Sequence, residues 1–115
     1  VMTKDQIDNI YKSLNKNTEA YVSIFAGRIA DTGINPEDII KYAVNINKDY
    51  NSEIIWASTR EVLNIFECAE YGCDIITVSP DLISKLANLE KNLEDFSVNT
   101  VQMFYKDAKQ AGYKI

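Results

Sequence analysis

Histidine is missing altogether from this 115-residue sequence, and cysteine and proline occur only twice each. Without an imidazole there is no Ser-His or Cys-His nucleophile pair, so any chemistry falls to lysine, carboxylate, hydroxyl or arginine. Cys68 and Cys73 have no companion soft ligands at closer spacing, which excludes a zinc site; they read as buried, reduced thiols, and no metal is expected. Basic residues are also in deficit, 12 against 17 acidic ones for a net charge of -5. They are scattered along the chain, unlike the clustered lysines and arginines that carry phosphate-backbone affinity, so nucleic acid is not an expected partner. No apolar run approaches the ~18 residues needed to cross a bilayer. There is no amino-terminal signal pattern, the opening VMTKDQ reads as an interior segment, and a cytoplasmic address is expected.

What is present is a globular composition, 46% apolar and 25% charged, of a length for one domain or less. The first helix is expected from about Lys4 to Asn15, with Thr3 as N-cap, Gln6 at capping-box spacing and a buried stripe of Ile7, Ile10, Tyr11 and Leu14. A strand from Tyr21 to Phe25 leads into a polar loop that carries Arg28 and ends at Gly33. Asn35 and Pro36 then start a helix with stripe Ile39, Ile40, Ala43 and Val44. A second strand, Glu53 to Ala57, feeds a helix capped by Ser58 or Thr59, carrying Val62, Leu63, Ile65, Phe66 and Ala69 and stopped by Gly72. A third strand, Asp74 to Val78, enters a short helix at Ser79-Pro80. A last helix is expected after a Ser97 cap, presenting Val98, Val101, Phe104, Tyr105 and Ala108 and ending at Gly112.

Strands that alternate with helices imply a parallel sheet, because a parallel neighbour is reached only by a crossover. Periodicity alone does not separate a barrel from an open sheet. The strand ends favour a barrel rim: they supply Phe25 and Arg28, Ser58 and Arg60, and Val78 and Ser79. Two arginines and a hydroxyl brought together there suit a phosphate, and a helix beginning near Thr59 would add backbone donors. A surface arginine, an N-cap serine and a solvated first-turn arginine are the competing readings of Arg28, Ser58 and Arg60.

The segments AYVSIFAGRIADTG, EIIWASTREVLNIF and CDIITVSPDLISKL resemble the transaldolase family, including its fructose-6-phosphate aldolase-like branch. The resemblance covers nearly the whole chain but only part of that family's (β/α)8 barrel, which needs roughly 250 residues in typical form. It implies one partial domain over residues 1–115: a half TIM barrel comprising the sixth, seventh and eighth β-α units. It also implies that Arg28 in FAGR and Ser58 in WAS contact a substrate phosphate. Arg60 falls near a second such arginine, although the spacing from the serine varies in the family. Phe25 stands where the family places an aromatic facing the reacting centre. A phenylalanine there, unlike the tyrosine of the aldolase branch, relays no proton and goes with transaldolase chemistry, the transfer of a dihydroxyacetone unit between sugar phosphates in the pentose phosphate pathway.

That chemistry needs no cofactor, but it needs a lysine that forms a Schiff base with the donor ketone. In the family this lysine ends the fourth strand, upstream of the segment matched here. The lysines of this chain fall on predicted helices or polar caps, where water keeps an ammonium near its ordinary pKa. The chain is therefore expected to hold a phosphate or sugar phosphate without catalysing transfer alone. The alternatives are a non-catalytic sugar-phosphate-binding module and a structural half-barrel. A severed barrel would leave sheet edges and an apolar inner face, with Tyr21, Ser23 and Phe25 beside Ile54, Trp56 and Ser58, so Ile54 and Trp56 are expected to face water and to drive homo-oligomerisation or pairing with a complementary half. The last helix suits either a neighbouring subunit or the chain's own sheet.

Overall fold

Thr3 opens the first helix, α1 (Lys4–Ser13), with the reciprocal capping anticipated from sequence. Its hydroxyl accepts from the Gln6 amide at 3.2 Å, and Gln6 Oε1 accepts from the Thr3 and Met2 amides at 3.2 and 2.8 Å. The computed structural model describes residues 1–89 and 92–110. It divides into two compact units, Val1–Lys85 and one that begins at Leu86.

In the first unit α1 is followed by β1 (Ala20–Ile24), α2 (Ala26–Asp31), α3 (Glu37–Asn47), β2 (Ser52–Trp56), α4 (Leu63–Tyr71), β3 (Ile75–Ile76) and α5 (Pro80–Lys85). The three strands form one open parallel sheet in the order β1-β2-β3. The outer edge of β1 is also engaged: the Val1 ammonium donates to Ser23 O at 2.7 Å, and the Phe25 amide donates to Val1 O at 3.0 Å. This is the bond pair of a parallel bridge.

Register corrects the expected inner face. Val22 pairs with Ile54 and Ile24 with Trp56, so these four side chains share one face of the sheet. All four are buried, with Ile54 and Trp56 only 1% exposed, against Ile7 and Tyr11 of α1, Ile40 and Ala43 of α3 and Cys68 of α4. Ile54 and Trp56 therefore do not face water. They lie on the opposite face from Tyr21 and Ser23, whose partners are Glu53 and Ile55. On that uncovered face Tyr21 is 68% exposed, Glu53 is exposed and Ser23 and Ile55 are half-buried.

Local signals place most element boundaries, with three departures. The stretch after β1 is helical, not a loop, because Phe25 O and Ile29 O accept successive turns from the Ile29 and Thr32 amides. α4 starts at Leu63, later than a Ser58 or Thr59 cap would set it. Its buried residue is Cys68, while Leu63, Phe66 and Ala69 are exposed. Gly72 does end α4, in the left-handed conformation at φ 88°, where a side chain is strained. Both thiols are free, Cys68 buried and Cys73 half-buried, and burial raises both, Cys73 to about 12.

In the second unit a single turn at Leu86–Asn88 precedes α6 (Leu93–Gln110). α6 begins upstream of Ser97 because Asn92 caps it: Asn92 Oδ1 accepts from the Glu94 and Asp95 amides at 2.8 and 3.4 Å. The expected stop at Gly112 lies outside the described residues.

At the amino-terminal ends of the strands, Tyr11 ties helices to sheet. Its hydroxyl donates to Asn47 Oδ1 at 2.7 Å, the Ser52 hydroxyl donates to the same oxygen, and Asn47 Nδ2 donates to Ser52 O at 2.8 Å. Burial, the largest cause, pushes the Tyr11 phenol up to about 12. A folded-state pKa above the unfolded value of 10 favours the protonated folded form. The contribution of Tyr11 to stability is thus fully present below pH 10 and lost as pH rises through about 12. Tyr11→Phe should cost about 1 kcal/mol at neutral pH and flatten that alkaline loss, as measured by urea unfolding across the pH range.

Candidate phosphate site at the strand ends

The carboxyl-terminal ends of β1 and β2 are joined by an unusually close approach of backbone to backbone. The Ala57 amide donates to Ile24 O at 2.8 Å and the Gly27 amide donates to Ala57 O at 3.4 Å. Gly27, in the first turn of α2, lies so close to the next residue of the β2 exit that a Cβ there would sit 1.6 Å from Ser58 O. Only glycine admits this packing. Ser58 itself turns the chain with φ 61°, and it is the one non-glycine residue with positive φ among those described. A left-handed conformation costs an L-residue roughly 1–2 kcal/mol.

These two features bring the β1 and β2 exits to one place. Phe25, Arg28 and Ser58 line a single cavity of about 610 Å³, completed by Met2, Asp31 and Thr32. Phe25 is 42% exposed, Arg28 is exposed and Ser58 is half-buried. Among the described residues neither the Arg28 guanidinium nor the Ser58 hydroxyl has a hydrogen-bond or ionic partner. An unpaired cation beside an unpaired hydroxyl offers charge-assisted donors to an anion such as a phosphate monoester. An adjoining hollow of about 490 Å³, which shares Met2 and Thr32, contains no arginine.

Arg60 is placed differently. It lines a neighbouring hollow of about 350 Å³ with Glu61, Asn64 and Glu67, and its Nη2 is 2.9 Å from Asp31 Oδ2. Its backbone is fixed because Asn64 Oδ1 accepts from the Arg60 and Glu61 amides at 3.1 and 2.9 Å. Those two amides are therefore taken, and the helix begins two residues beyond them, so no free helix terminus near Thr59 points donors at an anion. Val78 and Ser79 line none of the cavities around Arg28; Ser79 caps α5 instead, its hydroxyl accepting from the Leu82 amide at 3.2 Å. No group of three or more potential metal ligands occurs among the described residues.

Two site residues escaped the sequence reading. Gly27 stands next to Arg28, but its role depends on a neighbour thirty-one positions away in sequence. Asp31 lies three positions after Arg28, a spacing that places two side chains on one helix face and was concealed by reading the segment as a loop.

The described residues thus form a parallel α/β sheet with α1, α3 and α4 packed on one face and an unpaired arginine and hydroxyl in one cavity at its strand ends. The model of the transaldolase/fructose-6-phosphate aldolase family matches residues 1–115, and the chain belongs to that family. It is 39% identical over 87 residues to a probable transaldolase of Chlorobaculum parvum, covering 68% of this chain and 39% of that protein. It is 38% identical over 81 residues to a probable transaldolase of Brucella anthropi, covering 66% and 37%. A probable transaldolase of Cytophaga hutchinsonii is 37% identical over 70 residues, covering 59% and 32%. The chain thus spans less than half the length of these curated relatives.

The close approach at Gly27 and the strain at Ser58 generate opposite expectations. Gly27→Ala should destabilise the first unit by about 3 kcal/mol, because the atom it strikes is backbone and cannot rotate away. Ser58→Gly should stabilise it by about 1 kcal/mol while removing the hydroxyl. Chemical denaturation of the two variants beside the parent chain checks both signs; a neutral Gly27→Ala would refute the packing argument.

Proposed function

We propose that this chain forms the phosphate-holding part of a transaldolase-type barrel, with β1, β2 and β3 as its sixth, seventh and eighth strands. Supporting this, α1, α3 and α4 pack on one face of the parallel sheet, and Tyr21 and Glu53 are exposed on the other, as on one side of a barrel wall. The observation that carries the functional reading is the shared cavity of Phe25, Arg28 and Ser58. Arg28 and Ser58 bind the phosphate of a sugar phosphate. Arg60 is the second cation within reach, and Phe25 gives an apolar wall that transfers no proton. The parent reaction is Schiff-base transfer of a dihydroxyacetone unit between sugar phosphates, as in the pentose phosphate pathway, in the cytoplasm.

The covalent step requires a lysine, and none of the described residues supplies one to this cavity. No lysine lines the cavity, and β1, β2 and β3 are followed by Phe25, Ala57 and Thr77. On this reading the chain alone binds phosphate esters without turnover. It associates with itself or with a complementary half through the face that carries Tyr21 and Ile55 and through the apolar stripe of α6.

Fructose 6-phosphate should bind saturably in a calorimetric titration, and Arg28→Ala should weaken binding at least about tenfold, the loss of one charge-assisted contact to a dianion. Borohydride added to the mixture should leave the intact mass unchanged. An adduct of one sugar per chain would show that a lysine here forms an imine. Binding that survives Arg28→Ala would overturn the phosphate assignment. For assembly, sedimentation should show a smaller species once residues 86–115 are removed, and an unchanged species would exclude α6 from the interface.

A further inference from the structure

The ion pair between Asp31 and Arg60 joins two separate hollows. Asp31 belongs to the wall of the 610 Å³ cavity with Arg28 and Ser58, whereas Arg60 belongs to the adjoining 350 Å³ hollow. The second arginine of the chain is therefore held just outside the cavity, and what holds it is a carboxylate of the cavity's own wall. We propose that Asp31 keeps Arg60 as an exchangeable arm, and that a phosphate monoester entering beside Arg28 takes the guanidinium over from the carboxylate. The inference rests on the phosphate reading above and adds to it a ligand-driven change of partner and an anion competitor, Asp31.

Four features make the exchange physically easy. The pair is exposed on both sides, 48% and 52% of the side chains, so water screens it and little is lost when it opens. It is made through Nη2 alone, and the remaining guanidinium donors have no side-chain partner among the described residues. A phosphate presents oxygens in the geometry that a guanidinium grips with two parallel hydrogen bonds, a stronger arrangement than a single contact to a screened carboxylate. The root of the arm does not need to move, because Asn64 Oδ1 holds the Arg60 amide. Only side-chain torsions change, and these rearrange within nanoseconds at exposed positions.

The same geometry gives Asp31 a cost. While Arg60 stays on it, the wall beside Arg28 is neutral; once Arg60 leaves, a carboxylate stands bare beside a dianion. Removing that carboxylate should thus strengthen binding, and part of the gain should depend on Arg60.

A double-mutant cycle with fructose 6-phosphate as the probe separates this from its rivals. Asp31→Asn should tighten binding, and the gain should be about two- to fivefold larger with Arg60 present than in the Arg60→Ala background, the worth of one exposed ion pair. In the parent chain the Arg60 side-chain N–H signal, assigned with Arg60→Lys, should shift on titration. Equal gains in both backgrounds would reduce Asp31 to a distant charge and overturn the exchange. Weaker binding in Asp31→Asn would overturn it in favour of a carboxylate that merely orients Arg60. If the parent and Asp31→Asn chains both fail to bind, the phosphate reading falls and this inference with it. Binding abolished by Arg28→Ala but indifferent to Asp31 overturns the inference alone.

Discussion

The arrangement at the carboxyl-terminal end of the sheet depends on the contact between Gly27 and the backbone of Ser58. A parallel sheet brings its strand ends to one edge, but side chains that leave adjacent strands do not by that fact converge. Here they do because the first turn of α2 rests directly on the β2 exit, with no room for a Cβ between them. Phe25 and Arg28, on either side of that glycine, are thereby carried to Ser58. Ser58 presents its carbonyl to that contact from a positive-φ conformation. Strain at such a position is expected where geometry serves a site and the surrounding packing over-determines it.

The division of labour between the two sheet faces follows. Val22, Ile24, Ile54 and Trp56 pack under α1, α3 and α4, and this dry layer holds most of the buried apolar surface of the first unit. Burial of this kind contributes roughly 25 cal/mol per Å² and does not require the opposite face to be covered. Tyr21, Ser23, Glu53 and Ile55 are left free of that duty. A face with a tyrosine, a serine and a glutamate on adjacent paired positions suits a polar interior or an interface better than a core. Stability is thus concentrated on one side of the sheet and the candidate site lies at its end, so changes at Arg28 or Asp31 should leave the fold intact.

How much of this was legible in the sequence depended on the range of the interaction concerned. The Thr3 and Gln6 box, the Asn35 turn and the Gly72 stop are local, each decided within a few residues, and the structure has all three. Strand positions were legible to within two residues, but the face of β2 was not. Alternation along one strand leaves two faces, and only pairing with Val22 and Ile24 assigns Ile54 and Trp56 to the helix side. The places of Phe25, Arg28 and Ser58 at strand ends suggested their convergence, but surface and capping readings competed with it, and the family resemblance was what favoured it. The partner of Arg60 was beyond reach, since Asp31 is twenty-nine positions away and lies on a helix that the glycine and threonine around it disguised as a loop.

Net charge would have argued against an anion site. At -5 the chain as a whole repels phosphate, and long-range steering gives no help. Screening confines that repulsion to about 8–10 Å at physiological salt, so what an arriving anion meets is the local arrangement. In the cavity that arrangement is one unpaired arginine, one hydroxyl, and a carboxylate whose charge is occupied by a second arginine. The arrangement is therefore close to +1, and under the exchange proposed above its second positive charge would become available only when a ligand displaces Asp31. Under the same proposal, a cation parked on the chain's own carboxylate would be kept from singly charged anions and would still be on offer, with Arg28, to a dianion able to pull both. On that proposal, selectivity for doubly charged phosphate monoesters over singly charged anions would follow, because only the former repays the opened ion pair.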